Sequence, residues 1–142
     1  MKVLLDTNVI LDVLQKREPW FAGGSRIFLT AAARQITACF TAKQAADIHF
    51  FSKRLFQGEE NVDEKARQVI SRLYAIFELS DTLAEDCRSA LAIENGDYED
   101  AVLIACAARE KMDFIITRDP EHFRVSPIPA VSPDAFADML EK

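Results

Sequence analysis

MKVLLDTNVILD, residues 1–12, is the stretch whose reading decides the fold. Lys2 to Leu5 form a short apolar run of strand character, and Asp6 closes it. Thr7 and Asn8 break the run before Val9, Ile10, Val13 and Leu14 resume at helical spacing. A strand that ends in a carboxylate and turns straight into a helix is the opening unit of an open α/β sheet. Such sheets bind ligands in the crevice at the carboxyl ends of their parallel strands. Asp6 is therefore expected in that crevice, with further carboxylates brought to it by the rest of the chain.

Working outward, the elements alternate. Ile27, Phe28, Ala31 and Ala32 predict a helix to about residue 34, after the turn at Lys16–Trp20 and the glycines at 23 and 24. Gln35 to Phe40 reads as a second strand. Thr41 then caps a helix running from 42 to about 56, with Ala45, Ile48, Phe51 and Leu55 on its apolar face. Residues 58–63 are the clearest loop, and Val62, Ala66, Val69, Ile70, Leu73 and Phe77 recur at amphipathic spacing beyond it. A brief strand at 78–80 precedes a helix capped by Ser80 or Asp81. Residues 101–108, AVLIACAA, are apolar all round, as in a helix packed under other elements. Phe114–Thr117 is a short strand, 130–131 an edge strand, and Ser132-Pro133 starts a last helix. Strands separated by helices predict an α/β fold, a parallel sheet covered on both faces.

Composition sets bounds on this reading. The 142 residues are most simply one domain, residues 1–142, with 49% hydrophobic and 28% charged side chains, the balance of a globular protein. No apolar run reaches the roughly 20 residues that a spanning helix needs. Asp6, Asn8 and Asp12 interrupt the amino-terminal apolar stretch, which argues against a signal peptide and for a cytoplasmic location. Cys39, Cys87 and Cys106 have no CxxC spacing, so they are expected to be reduced thiols in apolar surroundings. The net charge of −6 is unevenly spread: residues 1–58 carry +4 and residues 59–142 carry −10. That asymmetry permits a basic face able to receive a polyanion.

The chemistry lies in the aspartates. Asp6 and Asp119 each follow a predicted strand within a few residues, and strands of consecutive βα units run parallel, so both acids fall at one sheet edge. Asp97 and Asp100 open the buried helix near that edge, and Asp47 borders the packed stripe of its own helix. Carboxylates gathered in one crevice raise one another's pKa unless a cation sits among them. Mg²⁺ or Mn²⁺ suits oxygen donors, and such an ion activates water and stabilises charge on a phosphoryl group. Phosphodiester hydrolysis is the reaction inferred. No GxSxG, GxGxxG or GxxxxGK[ST] offers another.

Each acid also has a bland reading. Asp97 and Asp100 fit an N-cap and N3 pair, and Asp119 before Pro120 is a common turn residue. Asp12 reads as the solvent side of the first helix, and His49 and His122 as ordinary packed or surface histidines. The phenylalanines at 50, 51 and 56 read as core, with a contact surface as the alternative.

DTNVILDVL (6–14), TAKQAADIHFF (41–51), GDYEDAVLIACA (96–107) and IITRDPEHF (115–123) together resemble a PIN domain, and within that superfamily the small VapC-type toxins. The resemblance implies a three-layer α/β/α fold with a mostly parallel central sheet, and a Mg²⁺- or Mn²⁺-dependent ribonuclease site. It makes Asp6, Asp100 and Asp119 motif acids and Asp97 an auxiliary one, with Asn8 and Thr117 as supporting polar positions. The second acid of most relatives is a glutamate; this chain offers Asp47 there, one methylene shorter. RNA as substrate, a small antitoxin as partner and a homodimer are further implications. Two alternatives stand beside the enzyme: a non-catalytic module of the same fold, and a Mg²⁺-binding receiver-like signalling domain.

Overall fold

The computed structural model describes residues 1–142 as five strands and seven helices. Strand β1 (Lys2–Leu5) is followed by helices α1 (Thr7–Leu14) and α2 (Phe21–Ala32). Strand β2 (Thr37–Thr41) leads into α3 (Ala42–Ser52), a 3₁₀ turn at Lys53–Phe56, and α4 (Val62–Ile76). Strand β3 (Glu78–Ser80) precedes α5 (Ala84–Ala90) and α6 (Tyr98–Arg109). Strand β4 (Phe114–Ile116), a 3₁₀ turn at Pro120–Phe123, strand β5 (Ala130–Val131) and α7 (Pro133–Leu140) complete the chain.

All strand pairings are parallel, in the order β3-β2-β1-β4-β5. The order dictates the layers. Crossovers between parallel strands are right-handed, so the helices between β1, β2 and β3 share one face. The connection from β3 to β4 reverses direction, and its helices must cover the other. The pleat agrees, because alternate residues point to opposite faces. Val3, Leu5, Ala38, Phe40 and Ile116 pack with Ile10, Ile27, Ile48, Leu73 and Phe136 from α1, α2, α3, α4 and α7. Leu4, Cys39 and Ile115 point the other way, onto Leu103, Ile104 and Ala107 of α6. This is a three-layer α/β/α fold with a parallel central sheet. Fully buried Leu or Ile side chains each contribute about 1.5–3 kcal/mol, and both layers are lined with them.

The strand order also bears on one alternative. Receiver-like sheets run 2-1-3-4-5, with their switch point between strands one and three. Here the reversal falls between β1 and β4, so the receiver reading fails.

Several local expectations are corrected. The helix expected to reach residue 56 ends at Ser52 and tightens into the 3₁₀ turn. The helix placed after Ser80 or Asp81 starts later, because the Leu83 N–H donates to Asp86 Oδ2 at 2.8 Å and makes Leu83 the cap. Asp86 is buried and receives Arg109 of α6 at 2.9 Å, which locks α5 to α6. Burial alone would raise the Asp86 carboxyl; the hydrogen bonds from Arg109, the Leu83 N–H and Cys106, together with the Arg109 charge, outweigh it and hold the group below its usual range.

Asp12 was expected on the solvent side and is 1% exposed. Arg118 Nη1 donates to both its oxygens, at 3.0 and 3.2 Å, and Arg17 stands 3.6 Å away. Helical periodicity alone gave no sign of a partner more than a hundred residues distant. Phe51 and Phe56 pack partly against the core, but Phe50 is 58% exposed. Cys39 and Cys106 are buried, Cys87 is half-buried, and all three are free thiols. No helix is long and apolar enough to cross a membrane.

Candidate active site

The switch point between β1 and β4 is where the chain spends its polar residues. Asp6 directly follows β1, and its N–H continues the ladder by donating to Ile116 O at 2.8 Å. The residue is 8% exposed. Thr117, fully buried, donates its hydroxyl to Asp6 Oδ2 at 2.8 Å and accepts the Asp119 N–H at 3.1 Å. One hydroxyl thus ties the ends of two neighbouring strands.

Helix α3 is tied to the same point. Thr41 and Gln44 form a reciprocal capping box, the Thr41 N–H donating to Gln44 Oε1 at 2.8 Å. The buried Gln44 then spends its amide on Leu5 O (2.8 Å) and Thr7 Oγ1 (3.1 Å), which fixes α3 against the β1–α1 turn. Gln44 escaped the sequence reading, although a Thr followed three residues later by Gln is the signature of such a cap.

Helix α6 brings the remaining acids. Asp97 Oδ1 accepts the N–H groups of Glu99 (2.8 Å) and Asp100 (3.2 Å), so the capping role weighed from the sequence is real and occupies one oxygen. Asp6, Asp47, Asp97 and Asp100 line one hollow of about 300 Å³, together with Asn8, Thr7, Gln44, Arg17 and Lys43. Lys43 Nζ is paired with Asp47 and lies 3.2 Å from Glu99, so it bridges α3 and α6 at this wall. Asp119 does not line the hollow. It lies 3.9 Å from Arg118 Nε, and its charge still reaches Asp6. A second hollow of about 370 Å³ lies across Asp97 and Asp100, with His122 and Arg124 in its wall.

The electrostatics record burial and crowded negative charge. Burial first, and then the charges of Asp6 and Asp97, push the Asp100 carboxyl up to about 7, against a small opposing effect of His122. Burial also raises Asp6, with Asp119 adding to it, while the Thr117 hydrogen bond pulls the other way. The start of α6 favours a carboxylate, but desolvation and like charge win. Carboxylate, amide and hydroxyl oxygens are donors for a hard divalent cation, so charge and donor type fit one. Position is less complete: as the side chains stand, no three His, Cys, Asp or Glu residues converge closely enough to hold an ion.

Residues 2–121 match the family model described as PIN domain. The chain belongs to the PIN domain family. Its fold is shared with chains of three solved assemblies. One is VapBC2 from Rickettsia felis bound to a DNA fragment from its promoter, with 14% identity, TM-score 0.67, and coverage of 93% of this chain and 98% of that one. Another is DNA-bound VapBC from Salmonella typhimurium, with 16% identity, TM-score 0.67, and coverage of 94% and 98%. The third is a toxin–antitoxin complex from Klebsiella pneumoniae, with 18% identity, TM-score 0.66, and coverage of 92% and 97%. At these identities the likeness is one of fold. No curated protein matches the chain in sequence. The PIN-domain match spans β1, α3, α6 and the turn after β4, which carry Asp6, Asp47, Asp97 and Asp100 at the hollow and Asp119 outside it.

Proposed function

We propose that this PIN domain is a Mg²⁺- or Mn²⁺-dependent endoribonuclease that hydrolyses RNA phosphodiester bonds. The observation that carries the reading is the hollow itself: Asp6, Asp47, Asp97 and Asp100 share its walls, and burial together with the charges of Asp6 and Asp97 pushes Asp100 up to about 7. Asp6 and Asp100, joined by Asp97 and Asp119, are the residues to hold the ion. A bound divalent ion supplies an activated water and charge neutralisation at the phosphoryl group. Everything else is this chain's own work. Thr117 fixes the orientation of Asp6, Gln44 fixes the wall that carries Asp47, and Arg17 and Lys43 offer positive charge to the RNA backbone. Asn8 adds a neutral donor and acceptor beside the acids.

A toxin role within a toxin–antitoxin pair, with a small antitoxin partner, is supported by the likeness to the VapBC assemblies and belongs to the same proposal, as does the homodimer that the family resemblance implies. A non-catalytic PIN-fold interaction module is the second reading. It is favoured by the absence of three acids already at ligating distance from one another.

The experiment is cleavage of a labelled RNA by the native chain and by Asp6→Asn, with Mg²⁺, with Mn²⁺ and with chelator, alongside calorimetric titration of each metal. The enzyme reading expects metal binding and cleavage by the native chain, and loss of cleavage by at least about 100-fold in the variant. Undiminished cleavage by Asp6→Asn, or cleavage indifferent to chelator, sinks it. A folded native chain that binds no metal and cuts no RNA supports the module. Growth arrest on expression of the native chain but not of Asp6→Asn tests the toxin role.

A further inference from the structure

Trp20, the only tryptophan, is 42% exposed at the turn that precedes α2. A large aromatic ring left half in solvent costs hydrophobic stabilisation unless something covers it. One face is already occupied: the Arg118 guanidinium lies 4.0 Å from the ring centroid, at stacking distance. That guanidinium does not wander, because the buried Asp12 grips its Nη1 with both oxygens at 3.0 and 3.2 Å. The same carboxylate stands 3.6 Å from Arg17, three residues before Trp20, and Arg17 lines the acidic hollow. On the other side, Arg118 Nε is 3.9 Å from the Asp119 carboxylate. Two guanidiniums therefore flank one buried carboxylate, and the cluster joins an exposed ring to the hollow.

A pre-ordered aromatic ring beside paired arginines is how single-stranded nucleic acids are held. The ring takes a base by its π-face, whatever the sequence, and the arginines take the phosphates on either side. We propose that Trp20 is a base-stacking platform for single-stranded RNA, with Arg17 as the contact to the adjoining phosphate and Asp12–Arg118 as the support that holds the ring in place. This rests on the ribonuclease reading and adds to it. The strand is gripped beside the hollow that Arg17 lines, and an unpaired base is required there because a paired base has no free face. Charge complementarity favours RNA over an apolar partner surface, since the Arg118 guanidinium lies on the ring and Arg17 stands three residues before it, both beside the Asp12 carboxylate.

The sole tryptophan provides its own reporter. Full-length Asp6→Asn with Mg²⁺ is titrated with a labelled unstructured oligoribonucleotide, reading label anisotropy for binding and tryptophan emission, excited selectively over Tyr74 and Tyr98, for stacking. Native-chain cleavage is run in parallel. The expected result is quenching of Trp20 that saturates together with the anisotropy. The same strand annealed into a duplex should quench little. Trp20→Ala should weaken binding about tenfold and Trp20→Phe should restore most of it. Circular dichroism verifies that both variants fold. RNA that is bound and cut while Trp20 emission stays unchanged overturns the platform and leaves the nuclease intact. So does a Trp20→Ala chain that binds as tightly as its parent. Absence of RNA binding and cleavage altogether removes both proposals.

Discussion

Thr117 and Asp6 lie 111 residues apart and are joined by a 2.8 Å hydrogen bond, hydroxyl to carboxylate, across the carboxyl ends of β4 and β1. The bond sits at the point where the sheet reverses its direction of growth, the position at which open α/β sheets carry their ligands. Because Thr117 also accepts the Asp119 N–H, one buried hydroxyl sets the orientation of one acid and the backbone of a second.

Thr117→Val keeps the shape and deletes both bonds. A buried carboxylate oxygen and a backbone N–H lose their partner together, and the expected destabilisation is about 1–3 kcal/mol. Loss of the donor also removes what holds the Asp6 pKa down against burial, so the carboxyl should rise further. If the chain cleaves RNA, the acid limb of its pH–rate profile should move to higher pH in this variant. Chemical denaturation and a pH profile test the two effects separately. A variant with parental stability and an unmoved acid limb would contradict the role given to the hydroxyl.

Asp100 makes stability depend on pH in an unusual direction. Its carboxyl is pushed up to about 7 in the folded chain, mainly by burial, against 3.8 for an unperturbed aspartate. Between those values the folded chain holds a proton that the unfolded chain has released. More protons bound in the folded state means that stability falls as pH rises through this window and levels off above about 7. A salt-bridged acid does the opposite. Asp100→Asn has no proton to lose, so it should flatten the decline. After allowance for solvent screening the difference is on the order of 1 kcal/mol, roughly 4 °C in Tm at mildly alkaline pH. Thermal melts in chelator across pH 5 to 8 (approximate limits) check it, and equal slopes in the two chains would refute it. Adding Mg²⁺ to the native chain at the alkaline end should restore stability if the acids bind it.

How much of this was legible depends on the range over which each signal acts. The strand-to-acid-to-helix reading of residues 1–12, the all-round apolar helix at 101–108 and the Ser132-Pro133 start are local, and the elements stand where local chemistry put them. Parallel strands presenting one edge were the reason to expect Asp6, Asp97, Asp100 and Asp119 together; Asp6, Asp97 and Asp100 line one hollow, and Asp47, drawn in only by the family resemblance, lines it too. Asp119 did not join them at the wall; its carboxylate stands 3.9 Å from Arg118 Nε. Asp12 was misjudged for a reason of range. On a short helix at the edge of an apolar stripe, an acid reads as solvent-facing unless a cation arrives from elsewhere. The cation here is Arg118, delivered by the turn after β4. Gln44 was hidden differently: its side chain completes a local cap and then reaches Leu5, a contact that sequence spacing does not report.

Asp12 therefore yields the last prediction. It is buried, and burial raises its carboxyl while Arg118 and Arg17 pull it down, with a net rise. Truncation in Asp12→Ala strands two guanidiniums that are themselves only partly exposed, at 20% and 34% of their side-chain area. Removing one partner of a fully buried pair costs about 3–5 kcal/mol, and the partial exposure of both arginines brings the expected loss to about 2 kcal/mol. Asp12→Asn keeps a hydrogen-bond acceptor for Arg118 and should lose less. The two variants also separate packing from positioning. If Asp12 serves only the fold, RNA cleavage per folded molecule should be unchanged in Asp12→Asn. If it holds Arg118 and Arg17 for the substrate, KM should rise while kcat changes little, because the acids around Asp6 are untouched. Urea denaturation of all three chains and steady-state kinetics on the folded fraction read the two quantities. Parental stability in Asp12→Ala would mean that the buried carboxylate supports neither arginine.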